Sequence, residues 1–280
     1  MTVAPVRALV QASHLGPCLA ITAITVALTV GAGAWQSTGP GVLVVFAASV
    51  LAGQLSIGWS NDALDAARDA AGGRTDKPLV TGEVSHRAVL VAAGAALLAC
   101  FALGLWLGLA TAAWLVPVVG AGWAYNLGLK ATALSGLAYV AGFGPIPGLA
   151  ASILPGSPWP RPWALAAAAL LGVGAHFANV LPDLAADQES GVRGLPQTVA
   201  TRAGEPAVRV TALVLLLGAS LLIAFAPGTP FRAPALTGLA ATVVLAAVAV
   251  RGRGRTPFRC ALGIAAIDVL MFTLGGGDLV

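Results

Sequence analysis

An all-α, polytopic membrane fold follows from three observations on the sequence. The 280 residues are 58% hydrophobic and 9% charged, with a mean hydropathy of +0.89, which excludes a soluble globule. Apolar runs of about 17–25 residues, the length that crosses a bilayer as a helix, recur along the whole chain. The basic residues fall in alternate segments between those runs, as the positive-inside rule requires of a multi-pass protein.

Nine runs are read as spans: 11–34, 41–64, 86–108, 110–129, 132–154, 162–182, 205–226, 234–250 and 257–274. The first begins near the amino terminus but is too long, and wrongly flanked, for a cleaved signal peptide. Residues Ala88 to Leu129 are too long for one span and divide most naturally near Gly108. The fifth run contains Pro145 and Pro147, which predict a kink or break there. With the amino terminus cytoplasmic, 13 of the 15 Lys and Arg residues lie inside, and only Arg161 and Arg232 lie outside. Arg251, Arg253 and Arg255 serve in this scheme as orientation signals or head-group contacts. The expected molecule is one domain, 1–280: an integral, multi-pass protein, of the plasma membrane if bacterial. Its partner is the lipid bilayer; the pI of 9.4 reflects membrane-flanking residues, and no nucleic-acid partner is expected. Cys18, Cys100 and Cys260 sit singly within runs and are read as packing residues.

Carboxylates are scarce, and their placement carries the functional reading. Eight of eleven fall in two short stretches: Asp62, Asp65, Asp69, Asp76 and Glu83, then Asp183, Asp187 and Glu189. Asn61, Asp65 and Asp69 share the i, i+4, i+8 spacing of one helical face, and Asn179, Asp183 and Asp187 repeat it 118 positions later. Four runs separate the copies, which suggests two four-helix halves plus a ninth helix. Both clusters precede a polar connection, 70–85 and 189–204, where Gly72-Gly73 and Gly191 are expected to break the helix. Basic residues follow: Arg74 and Lys77 in the first connection, Arg193 in the second. Each Asp placed toward a bilayer costs roughly 2.5–3.5 kcal/mol on insertion scales, so such clusters mark function.

Carboxylates this close need a cation between them, and oxygen ligands suit Mg²⁺, which is held by a few carboxylates plus substrate phosphate oxygens. Lys77, Arg74 and Arg193 then complete the charge around a diphosphate. Asp62, Asp65, Asp69, Asp183 and Asp187 are the candidate catalytic residues, and with Asn61 they form the candidate metal-ligand set. Asn61 and Asn179 are also candidate substrate contacts. Metal-bridged diphosphate is a good leaving group, and an apolar cavity would shield an allylic carbocation from water. Asp76, Glu83 and Glu189 are read as solvated loop charges, and His176 as a hydrogen-bonded structural residue. Asp268, alone in the last run, must face the interior and find a partner.

These motifs resemble the UbiA superfamily of intramembrane prenyltransferases over essentially the whole chain. Asn61-Asp62-x-x-Asp65-x-x-x-Asp69 is similar to its first aspartate motif, and Asp183-x-x-x-Asp187 with Gly191-Val192-Arg193-Gly194-Leu195-Pro196 to its second. Arg74-Thr75-Asp76-Lys77-Pro78-Leu79 resembles the segment after the first motif, and Tyr125 with Lys130 lies where the family carries a Tyr and a Lys. The resemblance implies nine helices, with Tyr125 and Lys130 among the substrate contacts. It also implies Mg²⁺-dependent transfer of a prenyl group from its diphosphate to a hydrophobic, aromatic acceptor. The alternative is a terpene cyclase of the same family, which needs no acceptor. A more remote one is a cation-coupled transporter, disfavoured because both clusters lie at one membrane face rather than at the midplane. No basic residue falls mid-run, so an acceptor carboxylate would depend on rim residues such as Arg7, Arg68 or Lys130, and a simple hydroxybenzoate is not expected.

Overall fold

The computed structural model describes residues 3–189, 192–226, 232–275 and 279–280, and these are helical throughout apart from turns and short connections. A short helix α1 (Val3–Ala12) precedes α2 (Leu15–Gly31), and the two are bent by 62°. The predicted first run therefore crosses a break, at Ser13-His14, where His14 adopts a left-handed backbone (φ 54°, ψ 49°). The turn α3 (Ala34–Ser37) leads to α4 (Pro40–Ala71). α4 has 32 residues, or about 48 Å of helix against a hydrocarbon core of about 30 Å, so its last turns lie beyond the apolar window. The predicted stop at Gly72-Gly73 is present, with Gly73 at φ 68°.

Next come α5 (Pro78–Thr81), α6 (His86–Leu107) and α7 (Leu109–Asn126), the last two hinged at Gly108, as the length of the apolar stretch predicts. Gly108 has φ 134°, a conformation that a side chain would strain. A 3₁₀ turn at Leu129–Ala131 precedes α8 (Ser135–Phe143) and α9 (Ile146–Ala151), which are separated by Gly144-Pro145 at the predicted break. The second half holds α10 (Pro162–Val180), α11 (Leu184–Glu189), α12 (Leu195–Ala203), α13 (Glu205–Ala224), α14 (Arg232–Arg251) and α15 (Thr256–Leu274). Among the described residues, six helices (α4, α6, α10, α13, α14 and α15) are long and apolar enough to cross a membrane, and the bent α1–α2 pair would make a seventh. Nine crossings are thus not established by length and composition: α8 and α9, of nine and six residues, are each too short to span alone.

One expectation is corrected. Asn179, Asp183 and Asp187 do not share one continuous helical face, because α10 stops at Val180 and α11 starts at Leu184. Pro182 supplies no N–H and its ring clashes with the preceding turn, so residues 181–183 form a turn closed by Leu181 N–H to Ala178 O and Asp183 N–H to Val180 O. The first motif meets no such interruption. The predicted break at Gly191 lies outside the described residues.

Small residues let the helices approach. A Cβ on Gly58 of α4 would stand 1.9 Å from the Ser13 carbonyl oxygen, so the α1–α2 break rests directly on α4 backbone. α4 packs most extensively on α6, and α10 on α13. These are corresponding pairs in the two predicted halves. α2 touches both α4 and α15 and so closes a ring of helices around internal space.

Candidate functional site

The end of α4 carries two buried carboxylates that face different neighbours. Asp62 is 2% exposed and points toward the α1–α2 break, where its Oδ1 lies 2.7 Å from His14 Nε2 and 2.6 Å from Lys77 Nζ. Lys77 Nζ is also 3.2 Å from His14 Nε2, so the three side chains form one cluster. Asp62 Oδ2 is buried without a hydrogen-bond partner among the described residues. Asp65, one turn on, accepts from Lys130 Nζ at 2.5 and 2.6 Å and pairs with Arg68 at 2.9 Å. Lys130 reaches it because Gly128 (φ 134°) turns the chain out of α7 into the 3₁₀ turn.

Asn61 has both amide hydrogens engaged: its Nδ2 donates to Asp65 Oδ2 (3.2 Å) and to Asn126 Oδ1 (3.1 Å). Asn126 in turn donates to Ile57 O at 2.9 Å and Ser60 Oγ at 2.8 Å. Asn61 therefore has only its oxygen left to present, which is the atom a hard cation takes. Asp69 is half-buried. Arg74 turns away, giving one guanidinium edge, Nε and Nη2, to the two Asp76 carboxylate oxygens at 2.8 Å. That guanidinium holds the exposed Asp76 carboxyl down at about 2, so the fork survives until the pH falls through that value.

The second motif is more open. Asp187 accepts from Gln197 Nε2 of α12 at 2.7 Å, whereas Asp183, Asn179 and Arg193 are exposed. The connection after the second motif reaches the partners of the first: a Cβ on Gly194 would stand 3.0 Å from the carbonyl oxygen of Lys130, which holds Asp65, so the two motifs lie at the same end of the bundle. No group of three or more His, Cys, Asp or Glu side chains among the described residues is close enough to hold a metal ion. His176 is buried and hydrogen-bonded: its Nε2 is 3.0 Å from Ser135 Oγ, which also accepts the Leu195 N–H, and its ring stacks on Tyr139 with centroids 4.2 Å apart. Asp268 is fully buried and takes a 2.6 Å hydrogen bond from Ser220 of α13. Glu83 is exposed and accepts from Thr81 Oγ1 at 3.0 Å. The Glu189 side chain lies outside the described residues.

Two cavities open beneath this polar end. One of about 320 Å³ lies among α2, α4, α7, α8 and α9, with His14, Asn61, Tyr125 and Asn126 toward the acidic motif and Ile21, Val118, Phe143 and Ile146 in its walls. The other, about 380 Å³, lies among α2, α8, α9, α10 and α15, and Asn179 lines it. Both share Pro17, Ile21, Tyr139, Phe143 and Ile146, so Tyr139 and Phe143 form a partition between them.

Sequence reasoning missed His14, Asn126, Gln197 and Gln54. His14 and Gln54 interrupt otherwise apolar runs, and that was the only signal either gave. Asn126 and Gln197 follow their motifs at no recognisable spacing.

A helical membrane fold with a carboxylate and lysine rim over an apolar interior defines a polytopic membrane protein with a charged site at one end of the bundle. The sequence profile of the UbiA prenyltransferase family matches residues 19–265, and the chain belongs to that family. The fold is similar to solved structures nearly end to end. A digeranylgeranylglyceryl phosphate synthase aligns with a TM-score of 0.71 at 15% identity, covering 98% of this chain and 99% of that one. A UbiA homolog from Archaeoglobus fulgidus bound to DMAPP and Mg²⁺ gives 0.69 at 16%, covering 97% and 99%. The same homolog bound to GPP and Mg²⁺ gives 0.68 at 14%, covering 95% and 99%. No curated protein matches by sequence.

Proposed function

We propose that the chain transfers a prenyl group from a prenyl diphosphate to a hydrophobic, in the simplest case aromatic, acceptor within the membrane, with Mg²⁺ as cofactor. The carrying observation is that Asn61 lines an apolar cavity while bonded to Asp65, and that Asp62 and Asp65 beside it each pair with a half-buried lysine. The donor set fits a hard cation: the orphaned Asp62 Oδ2 and the outward Asn61 oxygen are the ligand type Mg²⁺ takes. Asn61, Asp62, Asp65 and Asp69 would hold it from one side, with Asp183 and Asp187 from the other. Bound metal supplies positive charge to the diphosphate oxygens as they become the leaving group.

Lys77 and Lys130 neutralise Asp62 and Asp65 in the structure, and in this reading they turn to the phosphates. Arg193 contributes charge from the second connection, whereas Arg74 stays paired with Asp76. The C1–O bond breaks with its electron pair going to the diphosphate. The acceptor's nucleophilic atom then bonds to C1 and gives up its proton to solvent at the rim. The Tyr125, Tyr139 and Phe143 rings at the cavity wall suit a developing allylic cation. Relatives bound to GPP or DMAPP with Mg²⁺ support the choice of substrate and metal.

We read the helices as nine crossings, with α8–α9 as one broken span and the site facing the cytoplasm, because 13 of 15 basic residues then lie on that side. The test is mass spectrometry of products formed by purified protein from a panel of prenyl diphosphates and acceptors with Mg²⁺. Acceptor-bearing products support transfer. Products made from the diphosphate alone identify a cyclase, and consumption of no diphosphate rejects both.

A further inference from the structure

We propose that Gln54 is the acceptor-recognition residue of this chain, and that the acceptor meets it with an uncharged hydroxyl or carbonyl group. The inference rests on the transferase reading above. Gln54 lies seven residues before Asn61 on α4, two turns or about 10 Å deeper on the same face, and both line the first cavity.

The other polar side chains on that part of α4 have found protein partners. Ser49 donates to Cys100 O, Ser56 to Gly53 O, Ser60 to Ile57 O, and Asn61 to Asn126 and Asp65. Gln54 alone among them has no hydrogen bond within the described residues, although it sits in a membrane-embedded helix where an unsatisfied amide is costly. It carries two donors and an acceptor toward the cavity. A site built around such a group selects for a ligand that satisfies it, because the wrong ligand leaves it bare.

Charge decides the ligand class. Among the described residues neither cavity is lined by a Lys or Arg, and the nearest lysines, Lys77 and Lys130, are held at the rim by Asp62 and Asp65. A carboxylate or phosphate two turns below that rim would be buried without a counter-charge. A neutral hydroxyl or carbonyl incurs no such penalty and matches the amide in both donor and acceptor.

The experiment uses full-length protein, Mg²⁺ and isotope-labelled geranyl, farnesyl and geranylgeranyl diphosphates. The acceptor source is a lipid extract of the source cells, divided by anion exchange into neutral and anionic fractions. Labelled, acceptor-bearing product is expected from the neutral fraction. Gln54→Leu is expected to lower its yield tenfold to a hundredfold while calorimetric prenyl-diphosphate binding is unchanged. Gln54→Asn, which keeps the amide, is expected to retain more activity than Gln54→Leu. Product from the anionic fraction, product lacking any acceptor, or equal impairment of the two variants overturns the proposal. Failure of the unsubstituted protein to bind any diphosphate instead removes the transferase reading itself, and this inference with it.

Discussion

Lys77 Nζ sits 2.6 Å from Asp62 Oδ1 in a pair whose side chains are 13% and 2% exposed. Burying two charges costs several kcal/mol per ion before their attraction is counted, so such a pair is weak evidence for stability. It is better understood as a charge held ready. The lysine balances the Asp62 carboxylate and stays within reach of whatever anion arrives at the rim.

The first prediction concerns the carboxylates. Asp62→Ala and Asp65→Ala are expected to lower turnover on the order of a hundredfold or more, the scale of losing one aligned electrostatic contact in a transition state. Asp183→Ala is expected to do the same if the exposed second motif joins the metal. Calorimetry of prenyl-diphosphate binding with and without chelator checks this. Chelator-insensitive binding of normal strength in the Asp65 and Asp183 variants rejects the metal assignment.

The second concerns the contact beneath His14. Gly58→Ala puts a methyl into the Ser13 carbonyl, and since backbone rather than a flexible side chain must yield, a loss of roughly 1–3 kcal/mol is expected. Gly94→Ala in α6 is the control: its Cβ meets nothing within 4 Å, so about 0.5–1 kcal/mol of stabilisation is expected there. Thermal unfolding in detergent should move the two variants in opposite directions. Equal shifts would mean that α1–α2 does not bear on α4.

What the sequence made legible follows from how local the causes are. The Gly108 hinge, the break at Gly144-Pro145 and the stop at Gly72-Gly73 each depend on residues that remove a donor or permit unusual φ, and all three occur where expected. The same logic applied to Pro182 breaks the second acidic stripe, which the i, i+4, i+8 periodicity alone does not reveal. The site divides in the same way. Asp62 and Asp65 announced themselves as carboxylates in an apolar chain. His14 reaches Asp62 across 48 residues and Asn126 reaches Asn61 across 65, through packing that no spacing encodes. Lys130 came from family resemblance alone, and its contact with Asp65 depends on the turn at Gly128.

The third prediction tests sidedness. Single cysteines at Thr75 and Gln188, both exposed, are expected to react with an impermeant thiol reagent from the cytoplasmic side only. A cysteine at exposed Gln36, in the short α3 turn, should react from the opposite side. Cys18, Cys100 and Cys260 are all buried and can be replaced by Ala for a clean background. Labelling of positions 75 and 188 from different sides would separate the two motifs and end the shared-site reading.

The last prediction separates two basic residues three positions apart. Lys77 is half-buried against Asp62, whereas Arg74 is exposed and has its Nε–Nη2 edge committed to Asp76. An exposed ion pair contributes at most about 1 kcal/mol, while a charge-assisted bond to phosphate contributes on the order of 1.5–3 kcal/mol. A contact that strengthens as diphosphate departs appears in kcat as well as KM. Lys77→Ala is therefore expected to lower kcat/KM for the prenyl diphosphate roughly tenfold to a hundredfold, leaving the KM of the acceptor unchanged. Arg74→Ala is expected to change neither parameter by more than about twofold, its lost partner being a solvated carboxylate. Steady-state kinetics with each substrate varied in turn decides the matter. If Arg74→Ala proves the more damaging, the fork with Asp76 opens during the reaction and Arg74 belongs with the phosphate ligands. If Lys77→Ala raises only the acceptor KM, the buried pair guards the second pocket instead of the diphosphate.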